Sequence, residues 1–175
     1  IGYVGNARRA RGFHKLPKLI NFIEQKNKKF NYLIQFSKIS DDLIPIKKKL
    51  YELAKINKRI KIIEKYTNNA EFNNILKRID IMPILHDAKE INNVTSGTLY
   101  SCLPYEIPFV IPKGLSFLNN INKFKSFETG KNLNDISSQI IKISNKYSFY
   151  LKNAKLNLKI LKKIAIKDPL NINFF

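Results

Sequence analysis

The chain opens Ile1-Gly2-Tyr3-Val4-Gly5-Asn6-Ala7-Arg8-Arg9-Ala10-Arg11-Gly12-Phe13-His14-Lys15-Leu16-Pro17. The first four residues are a short apolar run. A basic turn bounded by Gly5 and Gly12 follows, and the stretch ends in a segment of helical period. Leu16, Leu19, Ile20 and Ile23 recur at i, i+3, i+4 and i+7, and Pro17 is tolerated in a first turn. Strand, glycine-bounded turn and helix in that order begin a strand–helix–strand crossover.

The same unit repeats downstream. Apolar runs at 30–36, 60–63, 79–85 and 109–111 are nearly continuous rather than alternating, as strands covered on both faces require. Helical segments separate them. Over 43–56, Leu43, Ile46, Leu50, Leu53 and Ile56 fall on one side and Lys47, Lys48 and Lys49 largely on the other, with Ser40, Asp41 and Asp42 as N-cap chemistry. Shorter helices are predicted over 72–77 and 95–103. A brief sixth strand at 126–127 and two long helices, over 133–146 and 148–166, complete the pattern. The alternation predicts an α/β fold: a doubly wound, Rossmann-like parallel sheet of about six strands with helices on both faces. One domain is expected over 1–168, followed by an irregular tail at 169–175.

A chain of 175 residues buries roughly two-thirds of its unfolded surface and needs no disulfide or metal staple. The one cysteine, Cys102, has no partner within the chain, which suits a reducing, cytoplasmic setting. No apolar run approaches the ~20 residues of a membrane span. Opening on Ile1 inside a strand-like run suggests a piece of a longer protein. The formal charge of +19 favours anionic partners in general: nucleic acid, acidic lipid and phosphorylated metabolites alike. The lysines are spread from Lys15 to Lys167 and no aromatic–basic platform interrupts them, which argues against a nucleic-acid face.

Three constellations could carry chemistry. The turn from Gly5 to Phe13 lies where a doubly wound sheet binds ligands, at the carboxyl edge of its strands. Gly5 and Gly12 allow close backbone approach, the helix that follows offers unpaired amides, and Arg8, Arg9 and Arg11 supply forks that match phosphate oxygens. The competing reading is a solvated basic turn. It is not the dinucleotide fingerprint, whose glycine spacing is absent. Thr95-Ser96-Gly97 opens the next helix on the same edge, either to bind phosphate or ribose or simply to cap. His86-Asp87, with Glu90 nearby, offers acid–base or ligand groups, but no third ligand stands at a recognisable spacing, so no metal is expected. His14 reads as a packing or capping residue.

Tyr3-Val4-Gly5-Asn6-Ala7-Arg8, then Arg11-Gly12-Phe13-His14 and Leu16-Pro17, resemble the opening of the C-terminal half of bacterial glycosyltransferases with the two-domain B fold, of the family-4, group 1 type. Asp80-Ile81-Met82-Pro83-Ile84-Leu85-His86-Asp87, Thr95-Ser96-Gly97-Thr98-Leu99 and Pro108-Phe109-Val110-Ile111-Pro112 continue the resemblance in order and spacing, as far as about Gly114. The resemblance implies a donor-binding domain of a retaining transferase that takes a nucleotide-diphosphate sugar as substrate and needs no cofactor. It also implies an N-terminal, acceptor-binding half outside this sequence. Work on cell-envelope glycans would follow, with peripheral contact to the anionic inner-membrane surface. Arg8 and Arg11 match the basic pair that contacts the donor diphosphate, Arg11 standing where lysine is commoner. Thr95, Ser96 and Gly97 match the helix start that faces phosphate and sugar, while Gly5 and Gly12 shape the loop. Two glutamates expected on the sugar and ribose side are replaced by Asn93 and Ser101, and His86 also departs from the pattern on that side. No residue is assigned a catalytic role. A degenerate, non-catalytic binding module is the alternative that these departures favour.

Overall fold

Alternate residues of single strands point into two different cores. Ile34 of β2 (Tyr32–Phe36) and Val110 of β5 (Phe109–Pro112) join one apolar cluster, whereas Leu33, Phe109 and Ile111 join the other. A strand covered on both faces has no polar side to show, which is why these runs read as continuous. The computed structural model describes residues 1–26, 29–86, 97–114 and 124–167.

In chain order the elements are β1 (Gly2–Tyr3), α1 (Leu16–Glu24), β2, α2 (Ile44–Ile56), β3 (Ile60–Glu64), α3 (Asn69–Leu76), β4 (Met82–Pro83), α4 (Gly97–Cys102), β5, β6 (Phe127–Gly130), α5 (Leu133–Asn145) and α6 (Tyr147–Lys167). The strands form two parallel three-stranded sheets, β1-β2-β3 and β4-β5-β6. Register is set by Gly2 against Leu33, Tyr32 against Ile60, Met82 against Phe109 and Phe109 against Phe127. β1 and β4 lie side by side, and Gly2 N–H donates to Ile81 C=O at 3.0 Å, giving the lateral order 3-2-1-4-5-6. That is the doubly wound order, with its switch point between β1 and β4.

Pro83 explains why the sheet divides there. Met82 and Ile84 donate their N–H groups to Pro108 and Val110 across the β5 side. The residue between them would aim its N–H at β1, and proline has none. The strand expected over 79–85 is therefore only two residues long as a ladder, although 81–86 is buried throughout.

α1 buries Leu16, Leu19, Ile20 and Ile23 in the core that holds Phe13, Leu43, Leu50, Ile136, Ile140 and Tyr150. α3 and α4 supply Ile75, Leu76, Leu99 and Cys102 to the opposite core. Helices thus cover both faces, as the sequence predicts. Three local differences have physical causes. α3 begins three residues earlier than expected, because Asn68 and Glu71 form a reciprocal capping box. Ser40 makes no side-chain cap bond to the backbone; a 3-10 turn at Asp41–Leu43 leads into α2, and Asp42 turns instead to Arg9. β6 runs to Gly130 rather than stopping at Phe127, with Glu128 buried inside it. The irregular tail expected at 169–175 lies outside the described residues. No helix among the described residues is long and apolar enough to cross a membrane.

Candidate anion-binding site

The loop after β1 coils around one carbonyl: Arg11 N–H donates to Arg8 C=O at 3.1 Å and Phe13 N–H to the same oxygen at 3.3 Å. Gly5 N–H donates to Oε1 of the buried Gln35 at 3.1 Å, and Gln35 Nε2 donates to Lys65 C=O. The Gly5 end of the turn is thereby held to the sheet. Gly12 is the pivot. Its φ is +74°, and a Cβ there would lie 2.1 Å from the carbonyl oxygen of Leu85. Only glycine lets the loop rest on the carboxyl end of β4 in this way. Lys15 Nζ reinforces the contact by donating to the same Leu85 carbonyl at 3.1 Å.

This closure brings Arg11 over the switch point. A Cβ on Gly5, whose φ is +113°, would stand 2.8 Å from Arg11 Nη1 and 3.9 Å from Thr98 Oγ1. Arg11, Thr98 and His86 line one small cleft with Tyr3 and Leu85. His86 is buried, and its Nδ1 has no hydrogen-bond partner among the described residues. Burial pushes its imidazole down from 6.5 to about 4, and the Arg11 and Lys15 charges add to the shift. The ring is therefore neutral at pH 7, and the charges that act on it among the described residues, Arg11 and Lys15, are positive. The groups that meet at this cleft, a guanidinium fork, a hydroxyl and an imidazole, are of the kind that suits an anion.

The other predicted residues divide. Arg8 is exposed and does not line this cleft, and Arg9 is held by Asp42 in a 3.0 Å ion pair on the surface. The expected basic pair thus separates into Arg11 within the cleft and Arg8 outside it. Burial of Asp42's carboxyl is negligible, and hydrogen bonds from Ser40 and then Arg9 hold it below its usual range.

No family model and no curated protein matches this sequence. Solved structures do. The C-terminal domain of a group 1 family glycosyl transferase from Francisella tularensis superposes with a TM-score of 0.74 at 12% identity, over 93% of this chain and 83% of that one. This chain has the fold of that domain. A sucrose-phosphate synthase from Thermosynechococcus elongatus matches with a TM-score of 0.67 at 12% identity, over 95% of this chain and 42% of the other. The Anabaena protein HepE, solved in complex with UDP, matches at 0.62 and 12% identity, over 93% of this chain and 47% of the other. This chain therefore spans less than half of the last two proteins.

Within this glycosyltransferase C-domain fold, the second predicted loop is only partly described. Asp87, Glu90, Asn93, Thr95 and Ser96 lie outside the described residues. Gly97 opens α4 in an exposed position, and a Cβ there would meet nothing within 4 Å. Ser101 donates its hydroxyl back to Gly97 C=O at 2.9 Å within the same helix. His14 sits half-buried in the 3-10 turn Phe13–Lys15. Sequence reasoning missed Thr98 and Lys15. Thr98 directly follows the Thr95-Ser96-Gly97 motif, and Lys15 extends the basic run, so each carried a signal. No group of three potential metal ligands occurs among the described residues. A larger cavity, about 670 Å³, lies at the opposite, amino-terminal edge of the sheet.

Proposed function

We propose that this chain is the donor-binding half of a retaining glycosyltransferase, which holds a nucleotide-diphosphate sugar at the carboxyl edge of its sheet. The observation that carries the reading is the convergence of Arg11, Thr98 and His86 at the switch point, on a fold shared with group 1 transferase C-terminal domains. A diphosphate seated there would place its negative charge against the Arg11 fork. As the glycosidic bond breaks, charge accumulates on the departing diphosphate, and a fixed cation favours that state over the bound ground state. Gly5 and Gly12 shape the loop, and Arg8 steers from its rim. By the resemblance, Thr95, Ser96 and Gly97 would contact the phosphates, and Asn93 and Ser101 the sugar. The acceptor, a cell-envelope glycan or lipid, would be bound by a separate N-terminal half. The work would take place in the cytoplasm, at the anionic inner-membrane surface.

Calorimetric titration with nucleoside diphosphates and nucleotide sugars tests this directly. Arg11→Ala should weaken diphosphate binding by about 10- to 100-fold, as expected for a lost charge-assisted contact. Arg8→Ala should weaken it by less than about threefold, in keeping with an exposed charge. Equal affinities in wild type and Arg11→Ala would remove Arg11 from the site.

One observation favours a second reading. Asn93 and Ser101 are neutral where the resemblance places glutamates, and the Ser101 hydroxyl is engaged within its own helix. A binding module without turnover fits those residues. Saturable binding of a nucleotide sugar, with no glycosyl transfer or hydrolysis by a protein that contains both halves, would select it.

A further inference from the structure

The cavity of about 670 Å³ lies at the amino-terminal edge of the sheet, at the far end of the strands from Arg11. Three separate stretches of chain bring cations to it. Lys29 comes from the segment entering β2, Lys58, Arg59 and Lys61 from the turn after α2 and the start of β3, and Arg78 from the connection into β4. Asp80 is the one acidic residue in the lining, and it already takes a hydrogen bond from Tyr147. Lysine-rich composition would scatter cations; it does not by itself place them from three stretches around one concavity.

Two features show unused binding capacity. Lys58, Lys61 and Arg78 are exposed and form no ion pair among the described residues. Arg59 is anchored from beneath: its Nη2 pairs with Glu24 and its Nε donates to Asn57 Oδ1. Its Nη1 is nevertheless buried with no hydrogen-bond partner among the described residues. Nη1 has no surface open to a ligand, so Arg59 serves the groove as a fixed, partly exposed cation rather than through that atom. Several cations spaced around a concave floor fit a ligand with more than one phosphate better than a single carboxylate. We propose that this groove is a second anion site that takes a polyphosphate-bearing ligand, independent of the cleft at the carboxyl edge.

Tripolyphosphate is the probe, titrated calorimetrically at near-physiological salt. Wild type should bind it saturably, and Lys58→Glu/Lys61→Glu/Arg78→Glu should weaken binding by more than about tenfold, because the local field is reversed. Lys159→Glu/Lys162→Glu/Lys163→Glu on the exposed side of α6 makes the same change in net charge and should weaken it by less than about threefold, since those charges are remote and screened. The same titrations in an Arg11→Ala background remove any contribution of the carboxyl-edge cleft, and saturable binding that is still lost in the groove triple variant separates this site from the donor reading. Equal losses in the two triple variants, or no saturable binding, would overturn the proposal. Thermal melting checks that the groove variant is folded, and Lys58→Gln/Lys61→Gln, with an intermediate loss expected, serves if it is not. Competition by phosphatidic acid vesicles assigns the phosphate to a lipid headgroup. Binding without such competition assigns it to a free ligand.

Discussion

At Gly12, backbone conformation and packing impose the same residue for different reasons. A side chain there would occupy the left-handed region and also collide with the Leu85 carbonyl. Gly12→Ala should therefore destabilise the protein by about 3 kcal/mol, combining left-handed strain with overpacking. It should also loosen Arg11 from the switch point. Gly97 is the contrasting case, since nothing crowds it and its φ is ordinary. Gly97→Ala should leave stability unchanged or raise it by up to about 1 kcal/mol, as Ala reduces unfolded-state freedom. Chemical denaturation of both variants checks the pair. His86 adds a pH signature. Because burial lowers its folded pKa from 6.5 to about 4, the unfolded chain takes up a proton over that range and the folded chain does not. Stability should therefore be full above pH 6.5 and fall as the pH drops, by about 2 kcal/mol between pH 7 and pH 5. In His86→Asn that component of the fall should vanish; a pH profile identical to wild type would mean that His86 does not titrate as its surroundings imply.

At the scale of elements, legibility follows the source of the stabilisation. α1 and α2 were readable because their burial has helical period, and β2 and β5 because both faces of each strand are covered. β6 was hard to read past Phe127 because it carries Glu128 and Thr129, and the Glu128 carboxylate is held by tertiary partners that no local pattern announces. It receives hydrogen bonds from the Tyr150 hydroxyl and from Lys142, at 2.9 Å, with Lys125 at 3.1 Å. Burial alone would raise its pKa, but the bonds from Lys142, Tyr150 and Lys125 outweigh that and hold it below 4.5. Asp42 shows the converse: an acid that local reasoning assigns to a helix cap is claimed by Arg9 from a distant loop. Within the site, Arg11 and Gly12 were legible from charge and turn chemistry. Thr98 stands next to the Thr95-Ser96-Gly97 motif, but its pairing with Arg11 shows only once β1 and α4 are adjacent. Glu128→Ala should cost about 2 kcal/mol, since it strands the buried Tyr150 hydroxyl and releases two lysines. Because the native pKa is depressed, this contribution is present above pH 4.5 and disappears as the pH falls through the lower native value. The gap between variant and wild type in urea midpoint should therefore close in acid.

For the whole molecule, the question is how a chain of net charge +19 can discriminate among anions. A field of that size draws every polyanion, and it would raise encounter rates at either edge of the sheet without selecting a ligand. Selection requires contacts short enough to survive screening. Arg11 meets that condition, because it stands over Gly5 in a cleft with Thr98 and the buried His86. The long-range and short-range parts separate by ionic strength, since the Debye length shrinks from about 10 Å at 0.1 M to about 3 Å at 1 M. Raising salt from about 50 to about 500 mM should weaken nucleoside diphosphate binding by roughly tenfold in wild type as the field is screened. Arg11→Ala removes only one charge of the total, so its field is nearly unchanged and its affinity should fall by a similar factor. The ratio of wild-type to variant affinity should then hold within about threefold across the salt series, the mark of a contact at short range. A ratio that collapses toward one at high salt would mean that Arg11 acts only as part of the general field, and the cleft would lose its claim to the donor.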